Sequence, residues 1–312
     1  MCRLPDMKKY LFLIALWLAF LVPTNAFAFA CFWVGGTGTW DSSSITHWAP
    51  STGGAATGCA TSNAAPAAGD TVTFDASSGG GTVTPDGTVA GIAFTSITAG
   101  AFTGTLAFNT NNPNMTFGSV SFGGSGTRTI NMGSGTWTIT GTSGTIFDVN
   151  VQTNCTSCVY SNASFVFSGN SAARIISCGT GLSFGPATIN ANSTKGYISI
   201  SGAGGSTWAS VTVGSGNTLA FGQGVTHTIT GALTMTGTSS APVGLQSFSP
   251  GSAVTTVSVG SASTINWGTV LRVTKSGAGS ITATNSFDAG GNTSVTITAP
   301  SAGGGGGRII GG

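Results

Sequence analysis

The chain has 312 residues, 51 of them Gly, yet only nine Lys or Arg and seven acids, all Asp. At 5% charged residues it lies far below the roughly 25% of an ordinary soluble domain. That scarcity argues against a helical protein, which draws on Glu, Lys, Arg, Gln and Leu, and against nucleic-acid binding, which needs a basic patch to neutralise phosphates. A hydrophobic content of 40% with a formal charge of +2 argues equally against charge-driven disorder.

Residues 1–30 read as a secretory signal peptide. Arg3, Lys8 and Lys9 make a basic start, Tyr10 to Val22 is an apolar run, and Ala26-Phe27-Ala28 and Ala28-Phe29-Ala30 are small-residue cleavage sites. The run is too short for a membrane span, so cleavage is expected, after Ala30. No later stretch is long and apolar enough to cross a bilayer. The expectation is therefore a secreted or cell-surface protein with no transmembrane segment after signal removal. Removing Arg3, Asp6, Lys8 and Lys9 leaves six basic and six acidic residues, so the mature chain is formally neutral.

Residues 31–76 have a different composition. They contain Trp33, Trp40, Trp48, His47, Asp41, Asp70 and Asp75. Stacked-repeat folds need an atypical terminal unit to close the open core, and large aromatics suit that task, so this stretch is expected to be an aromatic N-terminal cap. Gly35-Gly36-Thr37-Gly38 lacks the Lys and the following helix of a phosphate loop. His47 beside Trp48 reads as a packed structural residue.

Signal removal leaves Cys31, Cys59, Cys155, Cys158 and Cys178. An oxidising compartment makes disulfides the default. Cys31 with Cys59 would staple the start of the domain. Cys178 is expected to pair with Cys155 or Cys158, which leaves one thiol over. Lipidation of Cys31 directly after Ala30 is a second solution to the odd count, although Ala28-Phe29 makes a poor lipobox. Cys155-x-x-Cys158 is half of a zinc site, with no second pair and no nearby His. No metal and no cofactor is expected.

From Thr71 onward one theme recurs: apolar residues alternate with Thr or Ser for four to seven residues, then Gly, Asn or Ser interrupts. Thr71-Val72-Thr73-Phe74, Thr136-Trp137-Thr138-Ile139-Thr140, Tyr197-Ile198-Ser199-Ile200 and Thr256-Val257-Ser258-Val259 are examples. Period-two alternation puts one set inward and the Thr/Ser set outward, and β-branched residues suit a pleated surface. Short strands at regular spacing, without a linker, predict an all-β fold: a β-helix-like solenoid of Thr/Ser-rich strands over residues 77–299. Tandem β-sandwiches are the alternative. Residues 300–312, with Gly303 to Gly307 consecutive, read as a Gly-rich flexible tail.

The run Phe32-Trp33-Val34-Gly35-Gly36-Thr37-Gly38-Thr39-Trp40-Asp41 is followed by Thr46-His47-Trp48 and Asp70-Thr71-Val72-Thr73-Phe74-Asp75. Gly126 to Ile139 and Ala283 to Thr293 supply further recurrent pieces. Together they resemble a broad group of secreted Gly/Ser/Thr-rich proteins of bacteria and tailed phages. The resemblance spans nearly the whole mature chain and implies a β-solenoid surface protein, adhesin-like or tail-fibre-like. It implies no catalytic residues. Val295 stands where many members of the group have Trp.

Polysaccharide-cutting β-helices need clustered acids for general acid/base work or for calcium. Here Asp41, Asp70, Asp75, Asp86, Asp148 and Asp288 are scattered, and Asp70 and Asp75 read as turn and strand-end residues. His227 lies in an alternating strand with no visible partner. Arg128, Arg174, Lys195, Arg272 and Lys275 are expected to be mostly solvated. Trp137, Trp208 and Trp267 sit in strand-like runs: pointing inward they are core, pointing outward they could stack on sugars. The expected function is a non-enzymatic structural or adhesive surface protein, with surface glycans or self-assembly as its partners. A polysaccharide-degrading β-helix and a phage tail-fibre or accessory protein are the alternatives.

Overall fold

The computed structural model describes residues 28–59, 64–150, 154–169, 173–190, 196–202, 204–248 and 253–301. Of the expected signal segment 1–30, the residues up to 27 lie outside the described residues, as do the tail from residue 302 and Lys195; Ala30, the expected cleavage position, lies in the strand Ala30–Trp33, and Phe29 bonds Asp70 and Thr71. Half of the chain is strand, and the strands build a three-sided parallel β-solenoid. No helix among the described residues is long and apolar enough to cross a membrane.

Each turn of the solenoid visits three faces in a fixed order. One rung runs through Asn217–Gly222 on the first face, Thr226–Ile229 on the second and Leu233–Thr236 on the third. The next rung repeats this with Val243–Phe248, Thr255–Val259 and Ser263–Asn266. Each of these strands pairs in parallel with its counterpart one rung away, as Leu219 with Leu245, His227 with Val257 and Met235 with Ile265. Hydrogen bonds between rungs therefore join residues 25 positions apart at Ser199 and Arg174, and 23 apart at Thr140 and Phe117. Such pairing between strands a full rung apart is that of the solenoid, and tandem sandwiches do not produce it.

The alternation works as the sequence implies. In Thr136–Ile139 the Trp and Ile are buried and the two Thr half-buried. Inward aromatics fill the N-terminal rungs. Phe108 packs on Trp137 with centroids 4.7 Å apart, and Phe184 stacks on Trp208 at 4.4 Å. Toward the C-terminus the core turns aliphatic, with Val257, Val259, Ile265, Val270, Val273, Ile281 and Ala283. The last rungs are short: Ser286 bonds Gly268, and Thr284 bonds Asn266, across only 18 residues. Rung length is set by the turns between strands and not by core volume, since Leu233 and Ser263, one aliphatic rung earlier, bond across 30 residues.

Within residues 31–76 some strand pairing is of another kind. The antiparallel pairings among the described residues fall here: Phe32 with Ala49, Trp33 with Trp48, and the Cys59–Ala64 bridge. Trp33 and Trp48 meet edge-on at 5.1 Å, Trp40 and Trp48 at 5.6 Å, and Phe74 packs beside all three. His47 stacks on Trp33 at 4.7 Å. The Gly35-Gly36 pair, both at positive φ, forms a turn whose Gly36 carbonyl accepts from Trp33 Nε1. Thr71–Thr73 pairs onward with Ala93–Thr98, so this end is continuous with the rod.

Corners are where rungs press closest. A Cβ on Gly118 would lie 2.5 Å from the Thr95 carbonyl oxygen; Gly141 is crowded in the same way by the Gly118 oxygen, and Gly169 by that of Gly141. Here glycine is required by the carbonyl of the preceding rung, whatever its φ. Gly141→Ala should destabilise the protein by about 1–3 kcal/mol through overpacking. Gly87→Ala, where an added Cβ meets nothing, should stay within about 0.5 kcal/mol. Chaotrope unfolding of the two variants beside the parent checks the contrast; equal losses would refute the corner argument.

Candidate functional site

The outward surface of the first face carries an aromatic patch that the core does not use. Ile198, Ile200, Leu219 and Phe221 point inward, so Tyr197, Ser199 and Ala220 point outward. Ser199, Ala220 and Gln246 form one row across three strands. The Tyr197 hydroxyl bonds the Gln246 side chain, two strands away on the same face. Burial pushes the Tyr197 hydroxyl up in pKa, with the Gln246 bond opposing. Phe248, 37% exposed, closes the patch with its ring 6.3 Å from that of Tyr197. Ser199 and Ala220 are fully buried despite facing out.

Trp267 stands at the other end of the same strand. Its carbonyl accepts from Val243 N at 3.0 Å, where Val243–Phe248 begins. Trp267 is half-buried and adopts φ +53° as the single residue turning the corner between Ser263–Asn266 and Gly268–Leu271. One rung on, Asn285 turns the same corner at φ +50°. Asn tolerates this left-handed conformation, whereas a bulky residue there is strained.

The other two candidate tryptophans do not reach solvent. Trp137 and Trp208 are both 0% exposed, each on an inward position of its strand. Of the two readings the alternation left open they take the inward one: they are core, and a glycan contact through them is ruled out. Tyr197, Gln246 and Phe248 escaped the sequence reading. The signal for Phe248 was present, since Val243 and Leu245 set the inward parity and Phe248 falls on the opposite one.

The cysteines pair differently from expectation. Cys31 and Cys59 form the expected disulfide. Cys155 joins Cys158, and Cys178 is a buried free thiol, so the expected bridge from Cys178 to either of them is corrected. The reason is local. Arg128 pairs with Cys155 but Thr129 pairs with Ser157, so Thr156 is an extra residue, and the disulfide spans that bulge. Cys178 points into the lumen, where burial pushes its thiol far up in pKa.

Two arginines expected in solvent are in the interior. Arg128 is 1% exposed and donates to the carbonyls of Gly100, Gly124, Gly126 and Phe122. Arg174 is 0% exposed, and its three guanidinium nitrogens have no hydrogen-bond partner among the described residues. His227 is also buried, and its partner is Ser206, whose Oγ lies 3.1 Å from Nδ1 and accepts from Trp208 Nε1 at 2.8 Å. Burial lowers the His227 pKa to about 4.

The acids serve the backbone. Asp41 accepts from Ser43 and Ser44 N, Asp148 from Asn150 N, and Asp288 from Gly290 N and Asn292 Nδ2. Asp75 and Asp86 cap short 3-10 turns. Asp70 is buried and accepts from Phe29 and Ala67 N. No family model, curated protein or solved structure matches the chain.

Two predictions concern the buried polar groups. Replacing an unpartnered buried ion by an apolar residue of similar length removes its desolvation cost, so Arg174→Met should raise stability by about 1–4 kcal/mol; a loss in chaotrope unfolding would show that the guanidinium stabilises the rod. For His227, the unfolded imidazole takes a proton near pH 6.5 and the folded one near 4. The unfolded chain therefore binds more protons in that window. Stability is full above pH 6.5 and falls by up to about 3 kcal/mol as the pH drops toward 4. His227→Gln should flatten this slope in a pH series of unfolding midpoints.

Proposed function

We propose that the chain is an exported, non-enzymatic structural or adhesive rod that presents its outer faces to neutral glycans. The observation that carries this reading is Trp267. A bulky aromatic in the left-handed region costs about 1–2 kcal/mol, and Asn fills the same corner one rung later without that strain. Strain kept where a cheaper residue fits is a pointer to function. An indole held on the edge of a face suits the apolar side of a sugar ring.

The setting supports the same reading. The strand Val243–Phe248 lies between Trp267 at its start and the Tyr197, Gln246 and Phe248 patch at its end. Five residue steps extend about 17 Å, long enough for an oligosaccharide rather than one ring. Neighbouring outward positions are Thr218 and Thr269, uncharged hydroxyls that suit neutral sugars. Repetition along a stiff rod lets weak contacts add by avidity. The commitment of each mature Asp to turns, caps or buried amides speaks against the polysaccharide-degrading alternative.

A glycan array probed with the mature chain tests the proposal. Binding should be lost in Trp267→Asn, which should also gain up to about 1–2 kcal/mol of stability by relieving the strained corner. Phe248→Ser should weaken binding with the fold intact, as read by circular dichroism. Failure of the parent chain to bind any glycan would leave a purely structural role.

A further inference from the structure

The N-terminal cap places two cysteines and a carboxylate together. Cys31, Cys59 and Asp70 are 0%, 1% and 4% exposed, and one ligand atom from each lies within 4.8 Å of the others. Cys31 Sγ is 3.7 Å from Asp70 Oδ2. Three pieces of backbone converge to build this arrangement. Cys31 pairs with Val72 in a parallel ladder, which brings Asp70 alongside, and Cys59 enters through its bridge to Ala64.

Asp70 is a buried carboxylate whose polar contacts are the Phe29 and Ala67 amides, each at 2.8 Å, and the Cys31 sulfur. No cationic side chain among the described residues neutralises it. A carboxylate accepts about four hydrogen bonds, so it has capacity left on the side of Cys31. A disulfide sulfur has no hydrogen to offer there. A thiol has one, and a metal ion bound to thiolates would meet the carboxylate directly. Buried charges are paired or coordinate metals.

We propose that, on reduction, Cys31, Cys59 and Asp70 form a site for one thiophilic divalent cation such as zinc. An external phosphine donates two electrons that cleave the Sγ–Sγ bond and becomes its oxide, taking the oxygen of one water whose two protons complete the two thiols. The cation then displaces those two protons and binds two thiolates and the carboxylate. With metal–sulfur and metal–oxygen distances of about 2.3 and 2.0 Å, the tetrahedral edge from sulfur to oxygen is about 3.5 Å, close to the spacing of Cys31 and Asp70. The proposal is independent of the glycan reading: it gives the cap two alternative closures, a disulfide or a metal bridge, according to redox state.

The test uses the full chain, which retains Phe29, carrying Cys2→Ser, Cys155→Ser and Cys158→Ser, so that Cys31, Cys59 and the buried Cys178 are the cysteines left. After phosphine reduction, cobalt(II) titration should give one equivalent bound, with a thiolate-to-cobalt charge-transfer band, and zinc should displace the cobalt. The oxidised chain should give no band. Asp70→Asn, with both cysteines retained, should weaken binding by about tenfold or more, as loss of a group at the metal does, with its β signal retained in circular dichroism. A reduced chain that binds no cobalt, or an Asp70→Asn chain that binds as tightly as its parent, overturns the proposal. So does a reduced chain that loses its β signal and does not regain it when zinc is added.

Discussion

The rest of the structure depends on parallel stacking at strand spacing. Adjacent rungs lie about 4.8 Å apart, so each inward side chain has a counterpart directly above and below, and each corner has a carbonyl pressing on the next rung. The pressure at Thr95, Gly118, Gly141 and Gly169 explains why glycine recurs at that corner. A second corner is handled differently. Near Gly100, Gly124 and Gly126 several carbonyls turn toward the interior, and the guanidinium of Arg128 gathers them. One long cation there satisfies oxygens that a purely apolar core would leave unpaired.

Much of this was legible in the chain because the same stacking imposes a strict parity. Val72, Trp137, Ile198 and Val257 all lie on the inward phase of a Thr/Ser alternation, and all are buried. Parity says which way a residue points, but not which strand it meets. That is why alternation alone left solenoid and sandwiches open: the deciding fact is that Leu219 pairs with Leu245, a rung away, rather than with an adjoining hairpin strand. The disulfides were partly legible for the same reason. Cys155 and Cys158 share one strand, and only the extra residue at Thr156 brings them into reach.

Where the sequence reading failed, a residue's chemistry and its parity disagreed. Arg174 lies on the inward phase with Ile176 and Cys178, and parity won over charge. His227 followed the same phase, and its partner Ser206 lies in the preceding rung, out of sight of any local pattern. Phe248 is the converse case, an apolar side chain placed outward. In a fold with so few ionisable groups, such mismatches are the places where side-chain preference has been overruled by position, and they mark both the interior strain and the outer patch.

The shortness of the last rungs accounts for where Trp267 stands. One rung earlier the same corner is a multi-residue turn, between Leu233–Thr236 and Val243–Phe248. The last rungs close in 18 residues, as the bonds from Ser286 and Thr284 record. A circuit that short leaves a single residue at two of its three corners, Trp267 and Arg272, and one residue turns the chain that sharply by entering the left-handed region, as both do and as Asn285 does one rung on. A side chain at such a corner cannot join the core and cannot lie in the Thr/Ser rows of a face. It projects from the edge between two faces, which is the position on a flat-sided rod best placed to meet a ligand lying along the adjoining face. Corner strain and aromatic display are thus one geometric consequence of the short last rungs.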